Sequence, residues 1–176
     1  MILTARETWG LIHGSILGTL FLLFFAGGLA GLYHLRPEWV VLEGFREHLR
    51  RINASIWLMA VVAWLTVLSG TYIVYPWYRA TPAEGADLSL YPRAFLKADP
   101  QLAAWHYFGM EWKEHIAWFA PILATAAAYI VRRYGDQLAT EEPLRRMTLL
   151  IFALAFVAAG IAGLLGVLIT KAAPIL

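Results

Sequence analysis

Two histidines occupy places where an imidazole is costly. His13 lies near the start of one long apolar stretch, WGLIHGSILGTL, and His115 near the start of another, WKEHIAWFAPILATAAAYIV. A polar ring in hydrocarbon needs a partner. His13 follows Trp9 by four residues, and His115 follows Trp112 by three. At a helical rise of 1.5 Å per residue, both rings lie roughly 5–6 Å below their aromatic anchors. Two imidazoles at one depth, facing each other across a bundle, leave a slot for a flat ring with one axial nitrogen on each side. A single b-type haem held by His13 and His115 is the cofactor that this spacing favours.

The neighbours of the two histidines suit such a slot. Gly14 and Gly18 form a GxxxG beside His13, and Ala117, Pro121, Ala124 and Ala128 follow His115 at spacings of three and four. Small residues let a macrocycle approach closely, and equally let another helix do so. Phe21, Phe24 and Phe25 could pack a ring edge or face lipid. Arg79 and Arg93 are candidates for bidentate bonds to haem propionates, and plain interfacial snorkelling is the alternative, which we prefer for Lys113. His106 stands nine residues before His115, about 2.5 helical turns, so the two face opposite ways on a continuous helix. Glu111 and His115 share a face. With His13, and with His106 if the chain bends, they form the alternative site, one for Zn or Cu. Glu111 and Glu114 could accept protons from a quinol, or could be ordinary interfacial charges. His34 is 21 residues after His13, about 32 Å along a helix, and no histidine matches it on the third apolar segment. A stacked second haem is therefore not expected, and His34 and His48 read as solvated surface residues.

The elements that must position these residues are membrane spans. The chain has 176 residues, of which 60% are hydrophobic, and its mean hydropathy is +0.61. Charges gather between long uncharged stretches, and about twenty apolar residues suffice to cross a bilayer. The pattern predicts an all-α integral membrane four-helix bundle in one domain. Its spans cover about 10–35, 52–78, 111–132 and 147–170, with a long loop over 79–110. Residues 36–51 read as a connector holding a short interfacial helix through Val40, Val41, Phe45 and Leu49. Residues 134–146 read as a polar connector. The first span is expected to be retained rather than cleaved, because Arg6 and Glu7 cancel and its apolar run exceeds a usual signal core.

Orientation follows from the basic residues. The two short connectors hold Arg36, Arg46, Arg50, Arg51, Arg132, Arg133, Arg145 and Arg146. Positive charge favours the cytoplasmic side, so both termini and the long loop are expected on the extracytoplasmic side of a cell membrane. There are no cysteines, which excludes disulfides, thiolate metal sites and covalent CxxCH haem attachment. A net charge of +2 gives no argument for nucleic acid. No nucleophile–base–acid set, phosphate loop or dinucleotide fingerprint is present.

In architecture, and in His13 and His115, the chain resembles four-helix membrane b-type cytochrome subunits. The resemblance implies a non-catalytic electron-transfer subunit of a larger respiratory or photosynthetic-type oxidoreductase complex. It implies partners among other membrane subunits and lipid, with quinone and an extracytoplasmic cytochrome as redox partners. The missing second histidine pair confines electron exchange to the outer face. The alternative class is a non-redox scaffold or assembly subunit, with histidines acting as hydrogen-bonding glue between helices.

Overall fold

The computed structural model describes residues 3–41 and 43–173. Every regular element among them is helical. Four helices are long and apolar enough to cross a membrane: α1 (Ala5–His34), α2 (Phe45–Tyr78), α4 (Trp105–Thr140) and α5 (Glu142–Ala172). A short helix, α3 (Pro92–Ala98), lies in the segment between α2 and α4. These are the features of a multi-pass membrane protein.

At 30 to 36 residues, the four helices exceed the roughly twenty needed to cross hydrocarbon. The predicted connectors are correspondingly shorter. No interfacial helix forms from Val40 and Val41. Val41 is exposed, a 3₁₀ turn covers Pro37–Trp39, and α2 starts at Phe45 after Gly44, whose φ of 93° suits glycine alone. The expected connector over 134–146 is mostly helical, but Tyr134, at its expected start, leaves the helical range (φ -127°, ψ 26°) and kinks α4 there. Only Glu141 separates α4 from α5. Pro143 falls in the first turn of α5, where its missing N–H costs nothing. Arg145 donates to the carbonyls of Leu138 and Ala139 at 3.1 and 3.2 Å, closing the end of α4. The expected loop over 79–110 shrinks because α4 begins at Trp105. Within it Asp87 accepts the Ser89 N–H at 2.9 Å, and that bond holds its carboxyl below the usual range.

Packing is closest where side chains are smallest. A Cβ at Gly28 would lie 2.8 Å from Ile56 Cγ1 and 2.9 Å from Phe152 Cζ, and one at Gly31 would lie 2.5 Å from Ile52 Cγ1. These glycines draw α1 onto α2. Ser55 donates to the Phe24 carbonyl at 3.0 Å across the same seam. On α4, Ala120, Ala124, Ala127 and Ala128 are buried, and Thr125 accepts the Trp64 indole N–H from α2 at 3.1 Å. Phe25 stacks on Phe156 with centroids 4.1 Å apart, and Phe21 stacks on it at 6.3 Å. Phe21 and Phe25 therefore neither edge a cofactor nor fill lipid space: they join α1 to α5.

The glycines divide into two classes with opposite expected behaviour. Gly28→Val crowds Ile56 and Phe152, and it is expected to cost about 1–3 kcal/mol by overpacking. Gly160→Ala and Gly163→Ala meet nothing within 4 Å and should gain about 0.5–1 kcal/mol each by helix propensity. Thermal melting of the detergent-solubilised chain checks both signs.

Candidate functional site

Three of the four long helices widen at the same end of the bundle, the end that carries α3 and the loop. Single π turns cover Leu11–Ile16 in α1, Gly70–Val74 in α2 and Trp105–Met110 in α4. A π turn inserts one residue into a helix and re-aims the side chains around it, and such turns concentrate at functional sites. Here the first holds His13, the second holds the glycine on which His13 rests, and the third holds His106.

His13 is anchored to α2. Its Nδ1 lies 3.1 Å from Ser69 Oγ. The Ser69 hydroxyl donates its only hydrogen to the Thr66 carbonyl at 3.1 Å, so towards His13 it can act only as acceptor. That assigns the proton to Nδ1 and leaves Nε2 with a free lone pair. The ring lies against Gly70, where a Cβ would stand 2.7 Å from His13 Cε1. Any larger residue would displace the imidazole.

The α4 residue that faces His13 is Lys113, not His115. The Lys113 stem crosses to α5, with Cε 3.0 Å from the Cβ position of Gly166. This inward turn replaces the snorkelling expected for it. Residues two apart on a helix point roughly 200° apart, and His115 accordingly is exposed, its Nδ1 2.6 Å from the Glu111 carbonyl of its own helix. Glu111 is exposed as well. The two imidazoles proposed as axial ligands are thus held by different partners, His13 by Ser69 and His115 by the Glu111 carbonyl. The Zn or Cu alternative has no support: no group of three or more potential metal ligands occurs among the described residues. Gly14 and Gly18 border open space, since a Cβ at either meets nothing within 4 Å.

Around Lys113 the loop end gathers polar groups that lie apart in sequence. Glu114 faces Tyr75 and Tyr78, and its Oε1 is buried without a hydrogen-bond partner among the described residues. Tyr75 and Tyr78 stack at 6.1 Å. Arg79 sits over the Tyr75 ring at 5.4 Å from its centroid. The Tyr78 hydroxyl pairs with His106 Nδ1 at 3.0 Å, and both residues are buried. Arg93, on α3, is among the charges nearest this pair, as is Glu111. Arg79 and Arg93 thus flank tyrosines, and His106 is bonded inside the cluster. Ser69, Tyr75 and Tyr78 escape sequence reasoning. The two tyrosines sit in YIVYPWY, which reads as an aromatic belt. Their spacing of three, which puts them on one helix face, was the available signal.

No protein-family model, curated protein or solved structure matches this chain.

Tyr78→Phe removes the hydroxyl from a buried pair and leaves His106 Nδ1 unpaired. A loss of about 1–3 kcal/mol is expected, read as a lower melting midpoint. His115→Ala, on the exposed face, should leave the midpoint within about 0.5 kcal/mol.

Proposed function

We propose that this chain is a membrane subunit of a larger redox complex, and that its loop end binds a quinol and accepts its protons at the extracytoplasmic face. The observation that carries this reading is the Glu114 carboxylate. One of its oxygens is buried and unpartnered, at a depth where unpaired polar groups are expensive and mark function by default. A quinol hydroxyl supplies the missing donor. It is an apolar ring with a hydroxyl at each end and a tail soluble in lipid, so it can arrive along the open glycine face of α1.

Each neighbour has a stated part. His13 Nε2 is a second proton acceptor, its tautomer set through Ser69. Tyr75 holds the direction of Glu114, and Arg79 closes over Tyr75. Oxidation of a quinol releases two protons and two electrons. The protons go to Glu114 and His13, and the electrons pass one at a time to a one-electron acceptor carried by the partner complex, which is reoxidised between the two transfers. The loop with α3 gives that partner a surface on the same side. The excess of arginine at the opposite end supports the topology with the loop outside.

A second reading has its own support. The bonds His13–Ser69 and Tyr78–His106 both tie one membrane-length helix to another, as a scaffold subunit with polar glue would require.

Binding of decyl-benzoquinol to the complex isolated with its native partners, followed by tryptophan fluorescence, separates the two. Glu114→Gln is expected to weaken binding roughly tenfold or more, the worth of a charge-assisted bond, and His115→Ala to leave it unchanged. Unaltered binding in Glu114→Gln, or none in the parent, returns the chain to the scaffold reading. A Soret band in the parent, lost separately in His13→Ala and His115→Ala, would replace both readings with a bis-histidine haem.

A further inference from the structure

The opposite end of the bundle carries a groove of a different kind. It measures about 440 Å³ and runs over the seam of α1 and α2 at their connector end, within the roughly 300–1,000 Å³ typical of small-molecule sites. Its floor includes Gly27, Ala30 and Gly31, and its rim carries His34, His48 and Arg51. The floor is shallow and apolar because glycines permit the close approach of the two helices. The rim is basic, and no carboxylate lines the groove.

We propose that this groove binds an anionic phospholipid of the adjoining leaflet, with the phosphodiester on the rim and an acyl chain along the glycine floor. Three observations support it. Glu47 holds Arg51 only through Nε, at 2.9 Å, and this leaves the terminal guanidinium nitrogens for a phosphate. His48 Nε2 is buried without a hydrogen-bond partner among the described residues, and Trp39 stands edge-on to the same ring at 5.0 Å. His34 has its Nδ1 on the Ala30 carbonyl at 3.1 Å, so that nitrogen carries a proton, and the doubly protonated ring has Nε2 as a further donor to a phosphate oxygen. The charged rim sits at the end of the spans and the apolar floor runs inward from it. That polarity matches a lipid, head outward and chain inward, and not a soluble anion. Basic pockets between membrane helices at the cytoplasmic surface are suited to acidic head groups. His34 and His48, read from sequence as solvated surface, thereby acquire a shared partner.

The test uses the full chain, purified in dodecyl maltoside and delipidated. It is offered equal amounts of dioleoyl phosphatidylglycerol and dioleoyl phosphatidylcholine, and retained lipid is read by native mass spectrometry. The phosphatidylglycerol is expected to be retained about fivefold over the phosphatidylcholine, and Arg51→Gln to lower that retention about fivefold, the worth of one basic contact at a membrane surface. Arg51→Lys should keep most of it. Ala30→Phe fills the exposed floor with every charge in place and should abolish retention. Equal retention of the two lipids, or unchanged retention in Arg51→Gln or Ala30→Phe, would overturn the proposal. So would displacement of the lipid by inorganic phosphate alone, which would make the rim a site for a soluble anion. If Arg51→Gln melts below the parent, the comparison of Ala30→Phe with Arg51→Lys decides.

Discussion

Hydrocarbon offers no water to a polar group, so each one inside a membrane bundle must find its partner in the protein or in a ligand. This constraint arranges the whole chain. Between the two ends, the helices meet through glycine, alanine and phenylalanine, with hydroxyls satisfied on their own helix, as Thr148 is by the Leu144 carbonyl at 2.8 Å, or across a seam, as Ser55 is by the Phe24 carbonyl. Most of the demanding groups are pushed to the ends, although Asn53 Oδ1 and Trp57 Nε1 on α2 are also buried without a hydrogen-bond partner among the described residues. At the loop end they pair across helices until one carboxylate oxygen is left over. At the connector end they line a groove with a surplus of basic groups. Packing extends through both ends, with Ile56, Met59 and Phe152 fully enclosed within the bundle and Tyr78, Leu96, Met110 and Ile169 forming a second apolar cluster at the loop end, so the polar groups there are set into packed surroundings.

The existence of four spans was legible because hydropathy is a sum over twenty residues, and such sums survive local errors. Helix ends were less legible. The turn at Glu141 hides in sequence because a proline in a first turn looks the same as a proline in a loop, and because the charges of Arg145 suggest solvent when they in fact close the carbonyls of α4. The start of α4 was placed too late for a related reason. Trp105 to Met110 reads as an aromatic patch in a loop, and no residue in it announces a π turn.

The site was legible in location and not in detail. Histidine at a stated depth marks a costly group, and His13 is indeed held by a bond to a second helix. Which residue of α4 faces it depends on helix rotation, and a single inserted residue rotates everything beyond it by about 100°. Three such insertions precede or enclose the residues concerned. Lys113 and His115 are two apart, so an error of half a turn exchanges them. The small residues carry the same lesson: Gly28 and Gly31 are closed by neighbours, whereas Gly14 and Gly18 are open, and a GxxxG spacing does not say which.

The one-residue link between α4 and α5 has a mechanical meaning. With a single residue between them and Arg145 bonded to the end of α4, the two helices form a tight hairpin, interrupted on the α4 side by the kink at Tyr134. The Lys113 stem on Gly166 pins the far ends of the same pair. Helix α1 is fastened differently, by a glycine seam to α2 and a phenylalanine stack to α5, and the connector that follows it is the longer one. Displacement within this bundle therefore falls on α1 relative to the hairpin. The group that would register it is His13, because its ring rides on α1 and α2 while Lys113 and Glu114 ride on the hairpin. A partner pressing on the start of α1 would change the distance between His13 and Glu114 without bending a single helix.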